Sequence, residues 1–256
     1  MKIAVVQMTV TDGESEANVG RAVGLIQSAP AADLYLLPEL WTSGYLHERW
    51  ANIADHETPQ AIEEIGNLAR LRRCFIGGSM ICRHDDGGLV NRFLLHTPDG
   101  GIHGYYDKSH LFQPMQEHRY LRPGVEVPIW ELNGFRVAPA ICYDLRFSRM
   151  FANLAERDVD IFLVPSEWPK PRCASLRVLA QARAIESQAY LALSNRIGPA
   201  SDGTDFCGQS RVIDPLGAEI VADGESLVLM DIDRELITKT RSFLKVLEDR
   251  VAGVDA

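Results

Sequence analysis

The stretch Asn133-Gly134-Phe135-Arg136-Val137-Ala138-Pro139-Ala140-Ile141-Cys142-Tyr143-Asp144-Leu145-Arg146-Phe147 sets the fold class of this chain. Asn-Gly signals a turn, residues 135–141 read as an apolar strand, and the abrupt polar change before a helical pattern over 147–157 reads as a strand-to-helix turn. That unit belongs to an α/β sheet and delivers Cys142 at the strand's C-terminal end. Such turns present a side chain to a cleft, while the following backbone N–H groups can face a developing negative charge. The same position would also suit a buried structural thiol, since free cysteine is among the most buried residue types.

The pattern continues in both directions. Upstream, strands are expected over 2–8 and 33–37, with a helix over 14–28 between them. Thr58-Pro59 has the form of a helix start, and Ile62, Ile65, Leu68 and Leu71 share a face that should pack on a sheet before Arg72-Arg73 ends the helix. Between Cys74 and Lys108 the chain turns antiparallel, with strands over 75–82, 89–96 and 102–106 joined by Asp-Gly-Gly turns at 86–88 and 99–101. Downstream come a strand over 160–164, a helix over 172–188, a strand over 190–194, a pair within 209–221, a strand over 227–232 and a terminal helix. Alternating strands and helices interrupted by hairpins imply a mixed sheet covered on both faces. The length suits one α/β domain over 1–256, without internal repeat or linker.

The charge balance excludes some functions. Thirty-five acidic residues against 26 basic give a net charge of −9 without long like-charged blocks, which argues against nucleic acid as a partner. The N-terminal apolar run is too short for a secretion signal and no stretch reaches the length of a membrane span, so no membrane partner and a cytoplasmic location are expected. The five cysteines, at 74, 82, 142, 173 and 207, are odd in number, form no CxxC pair and lack histidines at zinc-ligand spacing. Neither a disulfide framework nor a structural metal is therefore expected. Cys74 and Cys82 would share a face if one strand ran through both, as buried structural thiols.

A catalytic cysteine needs a base or a cation beside it, because a free thiol titrates near about 8.5. Leu36-Leu37-Pro38-Glu39-Leu40-Trp41 places a carboxylate directly after the second strand. Tyr105-Tyr106-Asp107-Lys108-Ser109-His110-Leu111-Phe112 places a lysine after the third middle strand. Taken singly, Glu39 could cap a loop and Lys108 could snorkel to solvent. Together with Cys142 they all lie at or just past strand ends, where open α/β sheets gather site residues. Glu117, nine positions after Lys108, is expected in a loop.

These segments resemble the signature regions of the nitrilase superfamily, the carbon–nitrogen hydrolases. Glu, Lys and Cys follow in the family's order at gaps of 69 and 34 residues, and the resemblance runs from Lys2 to about Asp233. It implies a four-layer α-β-β-α sandwich with mixed sheets, pairing into at least a homodimer, and no metal or organic cofactor. It further implies Cys142 as nucleophile through a thioester, Glu39 as general base, and Lys108 with the Tyr143 backbone N–H at the oxyanion. Glu117 matches a fourth acidic residue that positions substrate or assists proton transfer.

Within the superfamily, the segments 38–45, 142–147, 166–172 and 181–188 look most like omega-amidases, which act on 2-oxo dicarboxylate monoamides such as 2-oxoglutaramate. A small anionic amide then calls for a cation: Arg146 is the first candidate and Arg172 the second, although Arg146 could equally anchor a loop through an ion pair. Trp41, Tyr45 and Trp168 are candidate pocket walls. Ser148-Arg149, Ala174-Ser175-Leu176 and Gln209 depart from residues frequent in relatives and bear on substrate choice. The competing readings are an N-carbamoyl amino acid amidohydrolase using the same trio and a non-catalytic scaffold that binds protein through its dimer surface.

Overall fold

A computed structural model describes residues 1–251, so residues 252–256 of the expected domain lie outside the described residues. In chain order the strands are β1 Lys2–Gln7, β2 Leu34–Leu36, β3 Phe75–Arg83, β4 Leu89–His96, β5 Ile102–Asp107, β6 Trp130–Leu132, β7 Phe135–Pro139, β8 Ile161–Ser166, β9 Tyr190–Asn195, β10 Ile197–Pro199, β11 Asp205–Cys207, β12 Arg211–Ile213, β13 Glu219–Val221 and β14 Ser226–Asp231. The helices are α1 Ser15–Ser28, α2 His47–Asn52, α3 Thr58–Arg72, α4 Glu117–Tyr120, α5 Ser148–Ala155, α6 Cys173–Ser187 and α7 Arg234–Phe243. None among the described residues is long and apolar enough to cross a membrane.

Two six-stranded mixed sheets result, ordered β14-β1-β2-β3-β4-β5 and β13-β12-β9-β8-β7-β6. The period-2 alternation of strands explains why they stack. Along β1 and β2, Ile3, Val5, Leu34 and Leu36 join a core that also contains Val137, Ile161 and Leu191 of the second sheet. Their neighbours Ala4, Val6 and Tyr35 face the opposite way, onto Val19, Ala22 and Ile26 of α1 and Ile65 and Leu68 of α3. Phe151 of α5 and Leu176, Ala180 and Ala184 of α6 cover the second sheet. The order is thus helix, sheet, sheet, helix, as the resemblance implies.

Several local expectations are corrected. Thr58 opens α3 as expected but does not cap a free helix end: α2 passes through a π-helical turn, Ile53–Glu57, directly into α3. The Thr58 hydroxyl donates instead to the Ile81 carbonyl at 2.8 Å, so a tertiary bond replaces the cap that the Thr-Pro pair suggests. Leu71 leaves the packed face and is 71% exposed, because the helical repeat turns it away from the buried stripe of Ala61, Ile65, Leu68 and Ala69. Cys173 and Cys207 form one disulfide, which amends the expectation drawn from the odd cysteine count. The pair meets because the turn after β8 lies against the β10–β11 hairpin, a contact between distant segments. Cys74 precedes β3 and Cys82 lies within it, yet both are buried in the core under α3, where burial pushes their thiols up to about 11 and about 12.

The turn after β2 is fixed to β3 by main-chain bonds. The Leu37 N–H donates to Gly77 O at 2.7 Å and the Trp41 N–H to Ser79 O at 3.2 Å. Gly78 lies beneath this turn, where a Cβ would come within 2.8 Å of Leu37 Cβ and 3.1 Å of Trp41 Cδ1. Gly78→Ala is therefore expected to cost about 1–3 kcal/mol of stability, measured as a lowered urea midpoint, because backbone on one side and a fixed indole on the other leave no soft neighbour.

Candidate active site

The turns after β2, β5 and β7 meet at one end of the stacked sheets. Glu39 follows β2, Lys108 follows β5, and Cys142 opens a 3-10 turn, Cys142–Arg146, three residues after β7. The strand expected to run to 141 thus ends at Pro139. Cys142 has φ +47, a left-handed conformation uncommon for a side-chain-bearing residue, which turns the chain sharply out of the sheet.

Lys108 Nζ donates to Glu39 Oε1 and to Glu117 Oε1, each at 2.8 Å, and all three side chains are fully buried. Glu39 Oε1 also accepts from Asn91 Nδ2 at 2.8 Å, and its Oε2 accepts from the Glu167 backbone N–H at 3.1 Å. The Cys142 thiol lies in hydrogen-bonding reach of the Glu39 carboxylate and of the Glu167 backbone N–H. Glu117 is not in a loop but opens the single turn α4, where Tyr45 Oη donates to its Oε1 at 2.5 Å and the Phe112 N–H to its Oε2 at 2.6 Å.

Burial governs the electrostatics here. It raises the Glu39 carboxyl, with Lys108 opposing and Glu117 reinforcing the rise. It drives the Cys142 thiol well above its ordinary range, the Glu39 carboxylate adding to this and Lys108 only partly offsetting it. Burial alone would lower Lys108, but Glu117 and Glu39 outweigh it and hold the ammonium well above its ordinary value. The resting state is therefore a thiol beside a carboxylate of raised basicity and a firmly charged lysine, not a free thiolate.

Asp144, which sequence reasoning passed over, latches the cysteine turn to the lysine segment. Its fully buried carboxylate accepts from the Ile141 N–H at 2.8 Å, Tyr106 Oη at 2.7 Å and the His110 N–H at 3.1 Å, and pairs with His110 Nδ1 at 2.7 Å. Asn91 and Glu167 were also missed. A polar residue inside the apolar run of β4 was the available signal for Asn91, and adjacency to Cys142 was the signal for Asp144.

Around the sulfur, Phe112, Tyr143, Arg146, Glu167, Trp168 and Arg172 enclose a pocket of about 10 Å³, room for about one water. Pro169 and Arg172 also border a wider cleft of about 770 Å³ that reaches Tyr45 and His47. Arg146 is exposed and stacks over the Trp168 ring at 4.7 Å, with no ion-pair partner among the described residues; Arg172 lies 5.1 Å from the Phe112 ring. The loop-anchoring ion pair considered for Arg146 is thus not formed. Trp41 does not wall this pocket: it is buried in the core against Gly78. Tyr143 lies in the first turn of the 3-10 helix, where N–H groups have no partner within the helix.

A buried thiol, carboxylate and ammonium thus meet at the strand ends of an α-β-β-α sandwich. The carbon–nitrogen hydrolase family model matches residues 2–242, and the chain belongs to that family. It is 37% identical over 240 residues to the omega-amidase YafV of Escherichia coli strain K12, covering 92% of this chain and 90% of that one. It is 31% identical over 250 residues to the 2-oxoglutaramate amidase of Bacillus subtilis strain 168, covering 96% of each. The solved structure of XC1258 from Xanthomonas campestris, a CN-hydrolase superfamily protein with an arsenic adduct in its active site, superposes with a TM-score of 0.89 at 32% identity, covering 98% of this chain and 97% of that one.

Asp144→Asn replaces one acceptor oxygen by an amide that confronts existing donors. It is expected to cost about 1.5–3 kcal/mol, seen as a lower melting temperature, and to slow Cys142 alkylation as the turn loosens.

Proposed function

We propose that this protein hydrolyses small anionic amides of the 2-oxo dicarboxylate monoamide type, with Cys142 as nucleophile. The observation that carries the reading is Lys108 Nζ at 2.8 Å from both Glu39 and Glu117, inside a buried cluster that reaches the Cys142 thiol. The omega-amidase and 2-oxoglutaramate amidase relatives supply the substrate class.

In the first half-reaction Cys142 Sγ attacks the amide carbon while its proton passes to Glu39. The oxyanion is stabilised by Lys108 Nζ and the Tyr143 backbone N–H. Glu39 then returns the proton to the nitrogen, the C–N bond breaks, ammonia leaves and a thioester remains. In the second half, water attacks the thioester as Glu39 takes its proton, the C–S bond breaks, Glu39 returns the proton to sulfur, and the carboxylic acid leaves with the Cys142 thiol restored. Glu117 holds Lys108 from the side away from Glu39 and, through Tyr45, ties it to the pocket rim. No step calls for a metal or an organic cofactor.

Arg146, with no anion of its own, and the half-buried Arg172 take the far carboxylate in this reading, and Trp168 supplies the wall on which Arg146 rests. The small free volume beside the sulfur means that these arginines shift to admit the acyl chain. Exposed Val178 and Ile185 on α6, with Leu216 beyond it, support pairing into a homodimer. One core cluster that draws residues from both sheets supports a single domain.

Purified protein should release ammonia from 2-oxoglutaramate, and Cys142→Ala and Lys108→Met, folded by circular dichroism, should not; turnover retained by either would overturn the assignment. Because Glu39 must be ionised to act and burial raises its carboxyl, kcat/KM should fall on acidification at a pH above the ordinary carboxylate range. Glu39→Gln should remove the same limb from the pH profile of thiol alkylation. Arg146→Ala should raise KM by roughly tenfold or more for anionic amides and much less for neutral ones.

A further inference from the structure

The last residue of β8 and the two that follow it carry an unusual concentration of unsatisfied polarity. Ser166 Oγ, Glu167 Oε2 and Trp168 Nε1 are buried and have no hydrogen-bond partner among the described residues, although such groups are few in native proteins. Glu167 and Trp168 line the pocket around Cys142. Glu167 is 1% exposed and plays no part in the steps above beyond lending its backbone N–H to Glu39.

The charges nearest Glu167 come from three segments, while Arg146 and Arg172 line the same pocket without forming an ion pair with it among the described residues. Arg196, at the end of β9, donates from Nη1 to Glu167 Oε1 at 3.3 Å, but it also donates from Nη1 to Asp12 Oδ1 at 3.0 Å. Asp12, after β1, is further satisfied by the Ser201 N–H at 2.8 Å and Ser201 Oγ at 3.0 Å. Glu39, after β2, places a second carboxylate against the Glu167 backbone, and the Cys142 thiol adds no positive charge. One buried guanidinium therefore serves two carboxylates, and Asp12 has the better share. An ionised Glu167 would be a surplus buried anion with one bare oxygen, a costly arrangement that a proton on that oxygen relieves.

We propose that Glu167 is a specificity-determining residue: it holds a proton on Oε2 and donates it in a hydrogen bond to an acceptor oxygen of the acyl chain, the 2-oxo oxygen of the substrates proposed above. The inference rests on that amidase reading for its substrate, but not for its proton. Burial drives the Glu167 carboxyl well above its ordinary range, with Arg196 opposing and Glu39 and Asp12 reinforcing, in agreement with the charge count. Arg196 keeps Oε1 engaged, which leaves Oε2 as the free atom. A neutral donor here would favour a 2-oxo group over a 2-ammonium group, which presents only donors.

Two measurements test this. The infrared difference spectrum of wild type minus Glu167→Gln near neutral pH should contain the carbonyl stretch of a protonated carboxylic acid; a carboxylate pair of bands instead would overturn the proposal. Glu167→Ala should lose roughly tenfold more kcat/KM on 2-oxoglutaramate than on the saturated dicarboxylate monoamide of the same length, and Glu167→Gln, which keeps a donor, should recover most of that difference. Equal losses on both amides would make Glu167 purely structural and overturn it. A wild type that cleaves neither amide, yet shows the acid band, would refute the substrate reading while leaving the proton on Glu167 standing.

Discussion

A lysine ammonium sealed between two carboxylates is the interaction on which the site depends. Burying a charge costs several kcal/mol per ion even after relaxation, so Lys108 is tenable only because Glu39 and Glu117 each reach it at 2.8 Å. The converse also holds. Two carboxylates on one ammonium form a net anionic trio, and that surplus negative charge, added to burial, gives Glu39 its basicity. Structural pairing and chemical activation are one arrangement: removing Glu117 would cost Lys108 a hydrogen bond and take away the like charge that raises Glu39.

Bringing Cys142 to Glu39 and Lys108 requires strand ends from different sheets to stay in register. Glu39 and Lys108 come from the first sheet and Cys142 from the second, and the interface between the sheets is apolar and non-directional. Hydrophobic packing fixes the spacing of two sheets well but their sliding poorly. Directional bonds at the site end supply what packing lacks. Asp144 grips both the cysteine turn and the lysine segment, the Glu167 N–H reaches Glu39 across the interface, and Ser194 Oγ donates to Val6 O at 2.6 Å. The site thereby helps to align the sandwich that carries it.

What was legible in the sequence follows from this division. The strands at Leu89–His96 and Ile102–Asp107, and the helix at Cys173–Ser187, are readable because their periodicity and turn residues are local signals. Glu39, Lys108 and Cys142 are readable as charged or reactive groups at strand ends and through their order and spacing. Tertiary contacts account for the misses. Thr58 bonds to Ile81 instead of capping a helix, and Cys173 meets Cys207 across a loop contact. Asn91 acts through Glu39, and Asp144 through Tyr106 and His110 besides its neighbour Ile141, partners that no local pattern reveals, and the short strands Ile197–Pro199 and Asp205–Cys207 carry too few residues to show a period. Trp41 illustrates the reverse error: an aromatic beside a site residue is turned by Gly78 into the core.

The protonated resting thiol follows from the same burial and is compatible with nucleophilic catalysis. A preformed thiolate is reactive at once, but a less basic thiolate is also a weaker nucleophile. In the proposed reaction the sulfur keeps its proton until an amide carbon arrives, and the proton moves to a carboxylate already in hydrogen-bonding reach. Negative charge would then transfer from Glu39 through sulfur to the amide oxygen, beside a Lys108 already charged and fixed, so that no large dipole reorients. The cost of burial is met once, in folding.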